Sequence, residues 1–160
     1  MSTQTLIIHA QVIDYRLPLR TPWHSSNGLL VERQGWLLKL TTDDGSTGWG
    51  DCAPLPEAGT ETLAEAQATL QTIVPQLIGY TPNTALHNLA YFNLQDARTV
   101  RFGIETALSD LLSKKNHVPL YKWLQPTSTA SLNVNAAVGH LDVGVYDRVQ
   151  DVIGLILHNN

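Results

Sequence analysis

The chain has 160 residues, of which 43% are hydrophobic and 15% charged, with a net charge of −4 and no basic run. That length suits one domain with room for a small second one, and the charge argues against nucleic acid or an anionic membrane surface as partner. The lone cysteine, Cys52, cannot staple the chain, so the composition fits a reducing, cytoplasmic setting.

Charged residues are scarce against the usual share of about 25%, so the chain is expected to bury surface against something else. The N-terminal residues have no positive region before their apolar part and read as a strand rather than a signal peptide. No run approaches the roughly 20 apolar residues of a membrane span.

Residues 5–15 read as a strand in which Leu6, Ile8, Ala10 and Val12 alternate with Ile7, His9, Gln11 and Ile13. Two prolines, a Ser-Ser-Asn-Gly run and a Trp-His pair make 16–31 read as a long loop that closes over something. Residues 33–42 form the next strand, with Trp36, Leu38 and Leu40 on one face. Asp44-Gly45 signals a hairpin turn, and Thr47 to Gly50 returns antiparallel. The first fifty residues are therefore expected to form a three-stranded antiparallel meander.

Helices follow. Thr62-x-x-Glu65 fits a capping box, and Leu63, Ala66, Leu70, Ile73, Val74 and Leu77 share a face until Pro75 kinks or ends the helix. Asn83 is placed to cap a short second helix. A third, over about 99–115, carries the clearest stripe: Val100, Ile104, Ala107, Leu108, Leu111 and Leu112. A short helical turn lies between Pro119 and Pro126. Residues 131–139 then read as a strand, and about 143–158 as a helix with Val145, Val149, Val152, Ile153 and Ile156 on one face. Strand followed by helix opens a parallel βα arrangement. The fold class is thus α+β over 1–127, followed by one βα unit over 128–160.

Gly45-x-x-Gly48-x-Gly50 is neither a dinucleotide fingerprint nor a phosphate loop and reads as hairpin geometry with close packing. No two of the six histidines sit at helical metal-ligand spacing. His24-Ser25 invites a nucleophile reading, but no nucleophile elbow occurs. Cys52 reads as a small buried side chain before it reads as a catalytic thiol. Asp51, at a strand end, reads as a hydrogen-bond partner of the adjoining loop's backbone, and Arg101–Glu105 as a helix-surface ion pair.

The stretch Gly48-Trp49-Gly50-Asp51, Ala53-Pro54-Leu55-Pro56 and Glu61-Thr62 resembles the segment after the third strand in the muconate-lactonizing branch of the enolase superfamily. Within that branch it most resembles o-succinylbenzoate synthases, with Asp51 in place of a usual Glu and Cys52 in place of a small residue. Leu17-Pro18-Leu19-Arg20 with Pro22 resembles the family's first mobile loop, and Arg33-x-Gly35 resembles the opening of its second strand. Ile104-Glu105-x-Ala107-x-x-Asp110 resembles the helix that ends its capping domain, as Asn133-x-Asn135-Ala136 does its first barrel strand.

The resemblance implies an enolase-type N-terminal capping domain joined to the start of a TIM barrel. It implies Mg²⁺-assisted abstraction of a proton α to a carboxylate, then loss of water, in menaquinone or phylloquinone synthesis. The metal stabilises the enediolate while a desolvated lysine takes the proton. The family's Lys-x-Lys and acidic metal ligands belong to later barrel strands than the one supplied here, and the adjacent Lys114-Lys115 pair cannot replace them. These 160 residues alone are therefore expected to be inert and to hold no metal.

What they carry by resemblance is the specificity lid over a small carboxylate substrate. Its residues are Arg20, Trp23, His24 and Ser25 on one loop and Asp51, Pro54 and Leu55 on another. The implied partner is the remainder of the barrel. An exposed apolar face on the last helix would favour self-association into a homo-oligomer. Two other readings stand beside the synthase. One is a sister dipeptide epimerase or muconate cycloisomerase; the other is a non-catalytic module that binds a ligand or partner chain.

Overall fold

Thr42 to Ser46 sets the register of the sheet. Gly45 takes φ +82°, a left-handed conformation that glycine adopts without penalty. The Asp44 carboxylate accepts from the Thr42 hydroxyl (2.7 Å) and the Ser46 N–H (3.0 Å). The Ser46 and Thr42 hydrogen bonds hold that carboxyl at about 2, below its ordinary value. In this computed structural model, which describes residues 4–25 and 28–134, the strands are β1 (Ile7–Ser25), β2 (Gly28–Thr42) and β3 (Thr47–Cys52). They lie in the order β1-β2-β3, the expected meander. β2 and β3 pair antiparallel from Trp36 opposite Cys52 to Thr41 opposite Thr47.

Residues 16–31 do not form the expected loop. β1 continues to Ser25 and β2 begins at Gly28. Among the described residues β1 is an edge strand, where alternate backbone N–H groups point away from the neighbour. Pro18 and Pro22 are four residues apart and so share one phase, which lets both sit in a strand that has a free side.

The chain divides into two compact units, Met1–Leu17 with Arg33–Ser128, and Pro18–Glu32 with Thr129–Asn160. In the second, Ser131 to Val134 carry no regular structure. The rest of the expected strand over 131–139, and the helix over 143–158, lie outside the described residues.

In the first unit, α1 (Leu63–Ile73) starts at the expected capping box, with Thr62 and Glu65 bonded reciprocally. It gives way to a 3-10 turn, Val74–Leu77, which contains Pro75. α2 (Pro82–Asn88) is capped by Thr81 rather than Asn83: the Thr81 hydroxyl accepts from the Thr84 N–H, and Pro82 opens the helix. α3 (Arg98–Lys115) buries its whole predicted stripe, and α4 (Leu120–Leu124) is the short turn between prolines.

α3 lies directly on the sheet because three glycines let the backbones touch. A Cβ on Gly48 would stand 2.2 Å from the Ala107 carbonyl oxygen, and one on Gly50 1.9 Å from that of Gly103. Leu38 and Leu40, opposite Gly50 and Gly48, fill the space beside them. The free edge of β3 is closed by the same helix. Asp110 accepts from the Trp49 N–H (2.9 Å), while Lys114 donates to the Thr47 carbonyl (3.0 Å) and to Asp110 (2.7 Å). Unpaired strand edges invite pairing with other chains, and these two side chains block this one.

A candidate lid loop after the third strand

From Asp51 to Thr62 the chain leaves β3, crosses a proline-punctuated loop and enters α1. Asp51 is the penultimate residue of β3, not part of the loop. Its carboxylate does not bond the loop backbone as expected; it accepts from the Tyr15 hydroxyl on β1 (2.9 Å). Burial first, and then the Asp51 hydrogen bond and charge, push the Tyr15 phenol up to about 12.

The loop backbone is held instead by Arg33 on β2. Its Nη1 donates to the Pro54 carbonyl (2.6 Å) and its Nη2 to the Ala53 carbonyl. The Leu55 N–H donates to the Thr60 hydroxyl (2.6 Å). A 3-10 turn, Pro56–Ala58, follows and closes on Gly59 in the left-handed region, φ +83°. Of the predicted loop residues, Pro54 is buried, Leu55 half-buried and Asp51 exposed.

Glu61 ends the loop. It is only 7% exposed, yet its carboxylate is fully engaged. It accepts from the Thr99 N–H (2.9 Å), the Thr99 hydroxyl (2.6 Å) and the Val100 N–H (3.0 Å). Ala97, at the N-cap of α3, offers no side-chain cap, so Glu61, 38 positions before Thr99, supplies one. Burial pushes the Glu61 carboxyl up, but the Thr99 and Val100 hydrogen bonds outweigh it and the group lies below its ordinary value. An anion at a helix N-terminus also gains from the helix dipole.

Cys52 is fully buried, and burial pushes its thiol up to about 11. Its Sγ lies 3.5 Å from the Thr99 hydroxyl. A thiol so protonated is a poor nucleophile, which favours the packing role.

Arg20, Trp23, His24 and Ser25 fall on β1 and belong to the second unit, whereas Asp51, Pro54 and Leu55 belong to the first. Trp23 is 47% exposed, a large apolar surface left open to solvent. Arg33, Thr60 and Glu61 are the residues that shape the loop, and sequence reasoning assigned none of them that task. Arg33 and Glu61 stood within the family-like motifs, but each acts on backbone 20 or more positions away.

Among the described residues no group of three or more His, Cys, Asp or Glu side chains could hold a metal ion. The Mg²⁺ that the resemblance implies for the full-length enzyme therefore has no ligand set among the described residues. A cleft of about 500 Å³ is lined by Val12, Asp14, Trp36, Gln67, Leu70 and Gln71. Asp14 is the one charged side chain that lines it. Among the described residues no helix is long and apolar enough to cross a membrane.

The family model described as "MenC, N-terminal domain" matches residues 7–111. The chain is 31% identical to the o-succinylbenzoate synthase of Edwardsiella ictaluri over 92% of its own length and 46% of that protein's. It is 30% identical to a hydrophobic dipeptide epimerase of Citrifermentans bemidjiense, over 79% of this chain and 37% of that one. The chain thus spans less than half the length of these curated relatives. Among solved structures it resembles the dipeptide epimerase of Methylococcus capsulatus complexed with Mg and the dipeptide L-Arg-D-Lys. There the TM-score is 0.69 and the identity 27%, over 75% of this chain and 35% of that one.

Proposed function

The chain belongs to the family of MenC N-terminal domains within the enolase superfamily, and on that premise we propose that it is the capping part of an o-succinylbenzoate synthase-like lyase. The enzyme would abstract a proton α to a carboxylate and then expel water, in menaquinone or phylloquinone synthesis. The observation that carries this reading is the loop from Ala53 to Glu61. It combines the synthase-like residues with a backbone held from outside by Arg33 and from within by Thr60, and with the Glu61 side chain fixed on the N-terminus of α3. A loop with its shape fixed from outside is what a specificity lid requires, because the shape of a closed site decides which substrate fits it.

In this reading the 160 residues supply no reacting group. Pro54 and Leu55, with Asp51 at the strand end, form one part of the lid. Arg20, Trp23, His24 and Ser25 form the other. The reacting lysines and metal ligands belong to barrel strands outside these residues, and the partner is that barrel.

A dipeptide epimerase is the second reading, supported by relatives of nearly equal identity. Chimeras separate the two. Residues 1–127 replace the equivalent part of the Edwardsiella ictaluri synthase in one protein and of the Citrifermentans bemidjiense epimerase in another. Both chimeras are assayed for dehydration to o-succinylbenzoate and for dipeptide epimerisation. The synthase reading expects dehydration to survive in the first chimera and epimerisation to be lost in the second. The opposite pattern overturns it. The 160-residue chain itself is expected to give neither product.

A further inference from the structure

Residues 53–56 read Ala-Pro-Leu-Pro, so two of the four have no backbone N–H to give. Neither Ala53 nor Leu55 lies in a strand or helix. A segment of that kind cannot hold its shape by a backbone ladder, and its carbonyls need donors from elsewhere. Arg33 supplies them to two successive carbonyls, those of Ala53 and Pro54, from a half-buried position on β2. Two residues on, Gly35 leaves room for the end of β3, from which the segment departs, and for Tyr15. A Cβ there would stand 2.6 Å from the Cys52 carbonyl oxygen and 2.8 Å from the Tyr15 hydroxyl. Gly35 is buried with φ outside the left-handed region, so close approach rather than backbone freedom accounts for the glycine.

We propose that Arg33 is a positioning residue, which fixes the backbone of residues 53–55 through both carbonyls and so presents Pro54 and Leu55 in one geometry. The inference rests on the lid reading for its meaning, but the contact itself does not depend on which reaction the lid serves. The planar guanidinium is suited to the task because its donors form a rigid fork, whereas a lysine ammonium is a single point charge. With both carbonyls engaged, the segment has little freedom to rotate about the bonds that flank Pro54. The downstream bonds then follow in register: Leu55 N–H to Thr60, Ala58 N–H to the Leu55 carbonyl, and Gly59 N–H to the Pro56 carbonyl.

The test is amide hydrogen exchange on the 160-residue chain, comparing wild type with Arg33→Gln and Arg33→Lys. Arg33→Gln is expected to speed exchange at Leu55, Ala58 and Gly59 by about tenfold or more, since bonds to a charged donor are the stronger kind. Amides in α1 and α3, such as Leu70 and Leu108, are expected to exchange as in wild type. Arg33→Lys is expected to fall between the two, because it keeps the charge but cannot grip both carbonyls together. Unchanged exchange at 55–59 overturns the proposal, as does acceleration spread evenly over α1 and α3, which would mark Arg33 as a general stabiliser. If Arg33→Gln does not fold, Arg33→Lys decides by the same two criteria. No substrate enters the measurement, so failure of the synthase reading in the chimeras leaves this result intact, and the reverse holds too.

Discussion

Removing the Glu61 carboxylate tests the cap that the loop places on α3. Glu61→Ala strands the N–H groups of Thr99 and Val100 and the Thr99 hydroxyl. The Val100 N–H is buried and cannot turn to water, a loss of about 1–3 kcal/mol for an unsatisfied donor. Loss of an anion at the helix N-terminus adds about 0.3–1 kcal/mol. Thr99 is half-buried and recovers part of its bonding from solvent. The expected cost is about 2–4 kcal/mol, a large part of the roughly 5–15 kcal/mol that holds a domain together. That corresponds to a fall in Tm of about 4–16 °C for a chain of this size. Glu61→Gln keeps an acceptor but no charge and is expected to lose about half as much.

The pH dependence has a definite sign. The folded carboxyl lies below its ordinary value of 4.5, so its contribution is complete above that value and is lost as pH falls below it. The gap between wild type and Glu61→Gln is therefore expected to narrow on acidification. Urea unfolding followed by circular dichroism at pH 7 and near pH 3.5 measures both effects. A Glu61→Ala chain within about 0.5 kcal/mol of wild type at pH 7, or a gap that widens in acid, would refute the reasoning.

Two further substitutions probe the packing. Gly50→Ala drives a methyl to 1.9 Å from the Gly103 oxygen with backbone on both sides, so a loss above about 3 kcal/mol, or failure to fold, is expected. Gly59→Ala meets no atom within 4 Å and bears only the cost of its positive φ, about 1–2 kcal/mol, and the two urea midpoints compare directly. Cys52, buried and with its thiol pushed up to about 11, is expected to resist a thiol reagent at pH 8 in the native chain. It should label about a thousandfold faster in denaturing urea; comparable rates would show the side chain to be accessible.

What the sequence disclosed was local. Asp44-Gly45 named its turn, Thr62 and Glu65 named their cap, and the α3 stripe from Val100 to Leu112 named its buried face. Each signal lies within a few residues of the structure it sets. The second helix was misplaced by two residues because Asn83 was weighed above Thr81-Pro82, which combines a capping hydroxyl with a proline fitted to the first helical position. The strands over 16–25 and 28–31 were hidden for another reason. Proline weakens a strand only where its missing N–H is needed, and strand order, which settles that, is not written in the segment itself. Arg33 and Glu61 were visible as residues but not as fasteners. A guanidinium within a strand and an acid before a helix take their roles from backbone 20 to 39 positions away.

The Glu61 bonds are among several long-range contacts that converge on one helix. From its N-terminus onward, α3 meets Glu61 at Thr99 and Val100, Gly50 at Gly103, Gly48 at Ala107, Trp49 at Asp110 and Thr47 at Lys114. Both ends of the loop are therefore seated on the same rigid element: Cys52 beside Thr99 at the start, Glu61 at the finish. With its ends fixed together, the loop loses little further entropy in adopting one path. Arg33 and Thr60 then select that path through backbone atoms alone, two carbonyls and one N–H. Side chains such as Leu55 and Ala58 are not part of the fastening. They can change in size and polarity while the backbone that presents them stays in place, so a frame of this kind lets selectivity vary without a change of fold.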